Sequence, residues 1–505
     1  MTDRFKPFKL PPQHLDTLRF CEPNANALSQ WLLEQPLGKP KQFSVLLYTL
    51  LPEINQLQCQ SQTRIDLLDI LRPVVYQCVS SSHQQHLQKP LQLNKQSTRV
   101  AMMSHALLRH LCDGYLIAIK TELDSGSDPK RIAKCIFFAL HGLGQLYFHC
   151  AQLYASTAPL FWLKAHSLFQ MAEEHGLSHE SIVAYHEPGE NRTIAKAYKR
   201  LILLACSHTN QLPQVDIGYL FDAFESWADL SQIVEAQSSD HSTPCRYWAD
   251  PFEDLPPHNR DQNKGREDIG FDFTDIILLL QTHNHFAPSK SIREIPTFFR
   301  HSLAEHLLQC WQRTERRKQA RQAIDERFEI CVGLENAYNL LNQEINDDKP
   351  ISYVSAVDSS QGGLCLRWQN NIPTATEPGQ CLLIRSPGKT LWSIGVIRWV
   401  QHVNHFTYAG LQLLSEHVAP TAAKVYRSDA EQESVASIAF ANMDESAQGI
   451  NLLIPKQLID TFDTTSNVVY ETQNSKESLG QFDKMSEFAS VNHYLCKIDA
   501  PTIGR

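Results

Sequence analysis

The sequence predicts a multidomain protein, in which an all-α, repeat-like N-terminal helical bundle is followed by an all-β six-stranded barrel and a strand-rich C-terminal extension. Three observations carry this. The chain has 505 residues, which at roughly 150 residues per domain leaves room for about three cores. From about residue 13 to 212 the apolar residues recur at helical spacing, whereas from Glu326 onward they alternate, and such a change of period marks a change of fold. Between these regions the stretch 236–267 is rich in Ser, Asp, His, Pro, Asn and Gln, with too little apolar surface to fold alone.

The expected divisions are a helical domain over 1–235, a polar loop or linker over 236–267, a helical connector over 268–312, a barrel with its N-terminal arm over 313–425, and a strand-rich module over 426–505. In the first of these, Leu67, Leu68, Leu71, Val74, Val75 and Cys78 follow the i, i+3, i+4, i+7 rule within Arg64 to Val79. Met103, Leu107, Leu111 and Tyr115 continue it within Arg99 to Leu123, so both are amphipathic helices. SGSDP (Ser125 to Pro129) breaks the chain, and Asp128 before Pro129 predicts an N-cap with proline at the first helical position. Gly144 to Gly176 predicts two helices joined by a short turn. In the connector, Phe299, Leu303, Leu307 and Trp311 fall at i, i+4 steps along a helix from Ile295 to Arg313.

The predicted barrel strands are Arg327 to Leu334, Ser352 to Val357, Gly363 to Trp368, Cys381 to Arg385, Trp392 to Val400 and Thr407 to Leu414, separated by Asp/Asn/Gly/Pro turns. Val435 to Ala441, Ile450 to Pro455 and Val468 to Thr472 extend the strand pattern into the tail.

Composition narrows the function. The formal charge is −9, from 55 acidic and 46 basic residues, so the chain does not coat nucleic acid or an anionic membrane by bulk charge, and any anion site is local. The start, MTDRFKPFKLPPQ, has no apolar run after its basic residues, so a cytoplasmic protein is expected. The most membrane-like stretch, Ile132 to Ala155, contains Lys134, His141, Gln145, His149 and Gln152. These are costly in hydrocarbon, so it is read as a buried helix without membrane insertion. The 13 cysteines form no CxxC pair, and the His105/His110 and His283/His285 pairs lack the carboxylate that would complete a metal set, so no metal or other cofactor is expected.

Two segments carry chemistry. In QRTERRKQARQ, Arg313, Arg316, Arg317, Lys318 and Arg321 face one carboxylate, Glu315. Guanidinium forks match phosphate oxygens bidentately and stack on bases; an i, i+4 arginine pair is otherwise a solvated helix face. Further on, VDSSQGGLCLRW places Asp358, Ser360 and Gly363 between two strands. That is the composition of a tight turn, with Gly362 or Gly363 free to take positive φ. Equally, a carboxylate there can accept from guanine N1–H and its exocyclic amine.

Together RRKQAR (Arg316 to Arg321), ERFEICVGL, DSSQGG (Asp358 to Gly363), SIGVIRWV and HFTYAGLQLL, with Gly395, Trp399 and Gly410, resemble the PilZ domain, whose signature is RxxxR followed by D/NxSxxG. The resemblance covers about Arg313 to Glu416. It implies a six-stranded barrel that binds cyclic di-GMP, with Arg317 and Arg321 clamping phosphates and stacking on guanine, Arg316 adding to the clamp, Asp358 and Ser360 reading the base, and Gly363 allowing the turn. Overlapping arginines leave the RxxxR register open, and the connection from Asn336 to Lys349 is long enough to reshape the site.

The resulting expectation is a non-enzymatic receptor that couples cyclic di-GMP to a protein partner of the helical domain. The like charges of the arm repel one another until phosphates neutralise them, so the arm should order on binding. A protein-interaction scaffold with a non-binding barrel is the alternative. Neither the carboxylate set of a metal-dependent phosphodiesterase nor a GGDEF string is present, which disfavours an enzyme acting on the nucleotide.

Overall fold

A computed structural model describes residues 5, 8–35, 39–86, 95–126, 128–183, 192–235, 247–259, 268–282, 297–312, 320–342, 350–369, 372–416, 420–427, 434–441, 449–455, 468–488 and 490–498. Among the described residues, eight α-helices fill the N-terminal part: α1 (Ala25–Leu33), α2 (Pro40–Gln56), α3 (Ser61–His86), α4 (Lys95–Ser125), α5 (Pro129–Gln152), α6 (Phe161–Glu174), α7 (Ile194–Ala205) and α8 (Gln214–Trp227). The helices expected from Arg64 and Arg99 are α3 and α4. The cap expected at Asp128 opens α5, where its carboxylate accepts from the Lys130 backbone N–H. The membrane-like stretch lies in α5 and is buried on nearly every side. Two of its polar residues are partnered on a neighbouring helix: Lys134 pairs with Asp69, which also binds Arg72 at 2.8 Å. His141 bonds the Tyr76 hydroxyl at 3.0 Å, and burial lowers its pKa to about 3, so the imidazole stays neutral. Among the described residues no helix is long and apolar enough to cross a membrane.

The polar region departs from expectation. Its composition predicts a loop or linker, yet β2 (Tyr247–Ala249) and β3 (His258–Asn259) lie within 236–267 and join β1 (Gln232–Glu235) and β4 (Ile269–Asp272) in a four-stranded sheet of order β1-β4-β2-β3. The segment cannot fold alone, but Tyr247, Ala249 and Phe271 bury themselves against the helical core. Helices α9 (Thr274–Thr282) and α10 (Thr297–Gln312) follow. Leu303, Leu307 and Trp311 of α10 are buried, Trp311 Nε1 donates to Cys206 O at 3.1 Å, and His306 Nε2 lies 2.7 Å from Ser207 O. This fastens α10 to the bundle; Phe299 cannot be scored, its side chain lying outside the description.

Two closed barrels follow. The first contains β5 (Gln322–Val332), β6 (Ser352–Ser360), β7 (Gly363–Trp368), β8 (Cys381–Arg385), β9 (Ser393–Val403) and β10 (Phe406–Ser415) in the ring order β10-β7-β6-β5-β8-β9. The second contains β11 (Thr421–Arg427), β12 (Val435–Ala441), β13 (Ile450–Pro455), β14 (Val468–Glu471), β15 (Lys476–Glu487) and β16 (Val491–Ile498). Periodicity had marked only three of these last strands. The expected boundary at residue 425 falls inside β11, which belongs to the second barrel. Leu334, expected as the end of a strand, instead opens helix α11 (Leu334–Leu341), after Gly333 takes φ 96°.

A shared apolar cluster joins the two barrels. Cys331, Cys381, Leu383, Trp392, Ile394 and Val396 from the first, and Leu334, Ala337 and Tyr338 of α11, meet Ala422, Ile438, Phe440, Leu453, Phe488 and Val491 from the second. The first barrel also meets the bundle: the His402 backbone N–H donates to Tyr154 O at 2.7 Å, forming a bridge between His402 and Ala155.

Candidate nucleotide site

The site lies where β5 begins, β6 ends and β7 begins. Ala323 pairs with Asp358 and Gln322 with Ser359, while Asp358 pairs with Cys365 and Ser360 with Gly363. Val354 and Ala356 point into the core, so strict alternation would send Asp358 inward as well. A bulge between Ala356 and Asp358 removes that parity and turns the carboxylate to the outer face, the usual effect of one extra residue in a strand. The DxSxxG residues are therefore not all in a junction: Asp358 and Ser360 end β6, and only Gln361 and Gly362 form the turn.

Arg321, just before β5, reaches this carboxylate. Its Nη1 donates to Asp358 Oδ1 at 2.9 Å and to Oδ2 at 3.2 Å. The side chains are 36% and 29% exposed, and an ion pair at such exposure contributes only about 0.2–1 kcal/mol. A pair this weak holds the guanidinium and the carboxylate together while leaving both able to exchange partners. Burial, and next the Asp358 carboxylate, raise the pKa of the neighbouring Cys365 thiol, so it stays protonated beside the site. Ser360 Oγ is 3.4 Å from Gly363 O, a long turn bond that competes weakly with a ligand.

Gly363 corrects the sequence reading. Neither it nor Gly362 is among the positive-φ residues; instead a Cβ on Gly363 would lie 2.4 Å from Leu411 O in β10. The glycine is needed because two backbones touch. Similar reasons explain the other landmarks. A Cβ on Gly410 would meet Trp399 Nε1 at 2.0 Å, and one on Gly395 would lie 2.6 Å from Gln412 O. Trp399 is opposite Gly410 in the register, so the missing Cβ leaves space for the indole.

Of the predicted site residues, the structure brings together Arg321, Asp358, Ser360 and Gly363. Arg316 and Arg317, like Arg313 and Lys318, lie outside the described residues. The connection expected to reshape the site does not reach it in its described part: α11 follows the opposite end of β5, about 30 Å along the strand, and packs on β11, β12 and β8. On β5 and β6 the Arg327 guanidinium lies 4.6 Å from the Tyr353 ring centroid.

Comparison with known proteins matches two segments of the chain. Residues 339–420 match the family described as the middle PilZ domain of the cyclic-di-GMP receptor FimW. Residues 26–237, which span α1 to α8, match the N-terminal domain of the same receptor. A curated relative, the cyclic-di-GMP receptor FimW of Pseudomonas aeruginosa, is 22% identical over 495 residues, covering 82% of this chain and 80% of its own length.

Proposed function

We propose that this chain, whose first barrel is a PilZ domain, is a non-enzymatic receptor for cyclic di-GMP that couples nucleotide binding to a protein partner of its helical domain. The observation that carries the reading is the pairing of Arg321 with Asp358, because it unites the two motifs, phosphate clamp and base reader, at one rim. In this reading Arg317 and Arg321, with Arg316 beside them, grip the phosphates. Asp358 accepts from guanine N1–H and the exocyclic amine, Ser360 serves a second edge, and Gly363 keeps the turn close to β10. The support for cyclic di-GMP as ligand is the PilZ assignment and the relative's name. The absence of a GGDEF string from the sequence favours binding over synthesis.

Coupling has a covalent route, since only residues 313–320 separate α10 from Arg321. α10 is fastened to the bundle through Trp311 and His306. Beside it, a cavity of about 80 Å³ is lined by His306 and Glu305 of α10, Arg398 of β9, and Glu487 and Phe488 beside the β15–β16 turn, so bundle and both barrels meet at this helix. A ligand that fixes the C-terminal end of α10 therefore biases how the three parts meet. Hydrogen exchange with saturating cyclic di-GMP should slow amides in 313–323 and also in α10. Protection confined to the barrel rim would contradict the coupling.

A further inference from the structure

The second barrel repeats the first. Numbering the strands of each barrel one to six in chain order, the neighbours in the first are one–two (β5–β6), two–three (β6–β7), three–six (β7–β10), six–five (β10–β9), five–four (β9–β8) and four–one (β8–β5). In the second they are β11–β12, β12–β13, β13–β16, β16–β15, β15–β14 and β14–β11. The pairings are the same six, and all are antiparallel. A simple meander would close the ring in chain order, and neither barrel does so.

The likeness extends to the connection between strands two and three. In the first barrel Asp358 and Ser360 end strand two and Gly363 begins strand three; in the second the chain reads DESAQG, with Asp444, Ser446 and Gly449 at the same spacing. Asp444 and Ser446 lie outside the described residues, but Gly449 lies within them and plays the part of Gly363. A Cβ on Gly449 would lie 2.8 Å from Cys496 O in β16, as one on Gly363 would lie 2.4 Å from Leu411 O in β10. In both barrels this glycine abuts the sixth strand.

What differs is the cation. Arg321 stands immediately before β5, at the end of a run of arginines, whereas no Lys or Arg occurs between Arg398 and Lys424, and the approach to β11 carries Glu416. Without guanidinium forks ahead of its first strand, the second barrel lacks the clamp that would offset desolvation of the doubly charged phosphate backbone of a cyclic dinucleotide.

We infer that residues 421–498 are an internal duplicate of the PilZ barrel that has kept the turn glycine for closing its ring but takes no nucleotide. It serves as the packing partner of the first barrel through their shared core, and the chain's cyclic di-GMP site lies on the first barrel alone. The ligand part of this inference rests on the receptor reading. Calorimetric titration of the full chain with cyclic di-GMP tests it. The Asp444→Ala/Ser446→Ala variant should keep the unaltered stoichiometry and, within about twofold, the affinity, while Asp358→Ala should weaken binding. A lower stoichiometry in the Asp444→Ala/Ser446→Ala chain would overturn the inference, as would saturable binding that survives Arg317→Ala/Arg321→Ala and disappears with Asp444→Ala. The receptor reading fails on a different result, the absence of saturable binding to the unaltered chain. In that case folding decides the duplication: Gly449→Val should deprotect the amides of β13 and β16, and unchanged exchange there would overturn it.

Discussion

Replacing Arg317 and Arg321 together by alanine is expected to lower affinity for cyclic di-GMP by about two to four orders of magnitude while leaving the fold almost unchanged. Each change removes charge-assisted hydrogen bonds worth about 1.5–3 kcal/mol, or about one to two decades in Kd apiece. The stability side of the prediction follows from Arg321 and Asp358 being partly exposed, so losing their pair costs about 0.2–1 kcal/mol. Lysine at both positions should recover only part of the loss, since an ammonium supplies charge without the planar fork. Affinity equal to that of the unaltered chain in the double variant would sink the clamp.

Gly363→Ala separates fold from chemistry in the opposite sense. The added Cβ would sit 2.4 Å from a backbone oxygen of Leu411, and a backbone held in the β7–β10 ladder cannot rotate away as a side chain can. The strands must part, at an expected cost of about 1–3 kcal/mol, as for other overpacked sites. The denaturant midpoint of the barrel transition should fall with an unchanged slope, and nucleotide binding should fall with it because β6, the neighbour of β7 in the ladder, carries Asp358 and Ser360. An unchanged midpoint would show that the barrel yields at this contact and that the glycine matters for ligand approach alone.

The sequence made the first barrel legible because its strands are short apolar or alternating runs bounded by turn residues; β7 and β8 have the predicted ends. The helical bundle was legible for the same reason at a different period. Less could be read where a segment is stabilised by something outside itself. Tyr247 to Ala249 is three residues in a polar stretch and becomes a strand only against β4 and the helical core. β15 reads KESLGQFDKMSE, with too few apolar residues to announce a strand, and it is held between β14 and β16. In the site, residue types and spacing pointed to Arg321 and Asp358, but the bulge that turns Asp358 outward has no signature in composition. The reason for Gly363 was likewise invisible, because a close approach to β10 depends on a strand some fifty residues later in the chain.

The most direct test of the account is titration calorimetry of the purified full chain with cyclic di-GMP, with GMP as the control. The account predicts saturable heat at micromolar cyclic di-GMP and none with GMP, which offers one guanine edge but not the paired phosphates that the arginine clamp requires. No heat with cyclic di-GMP would contradict it, and would leave the barrel as a packing domain in an interaction scaffold.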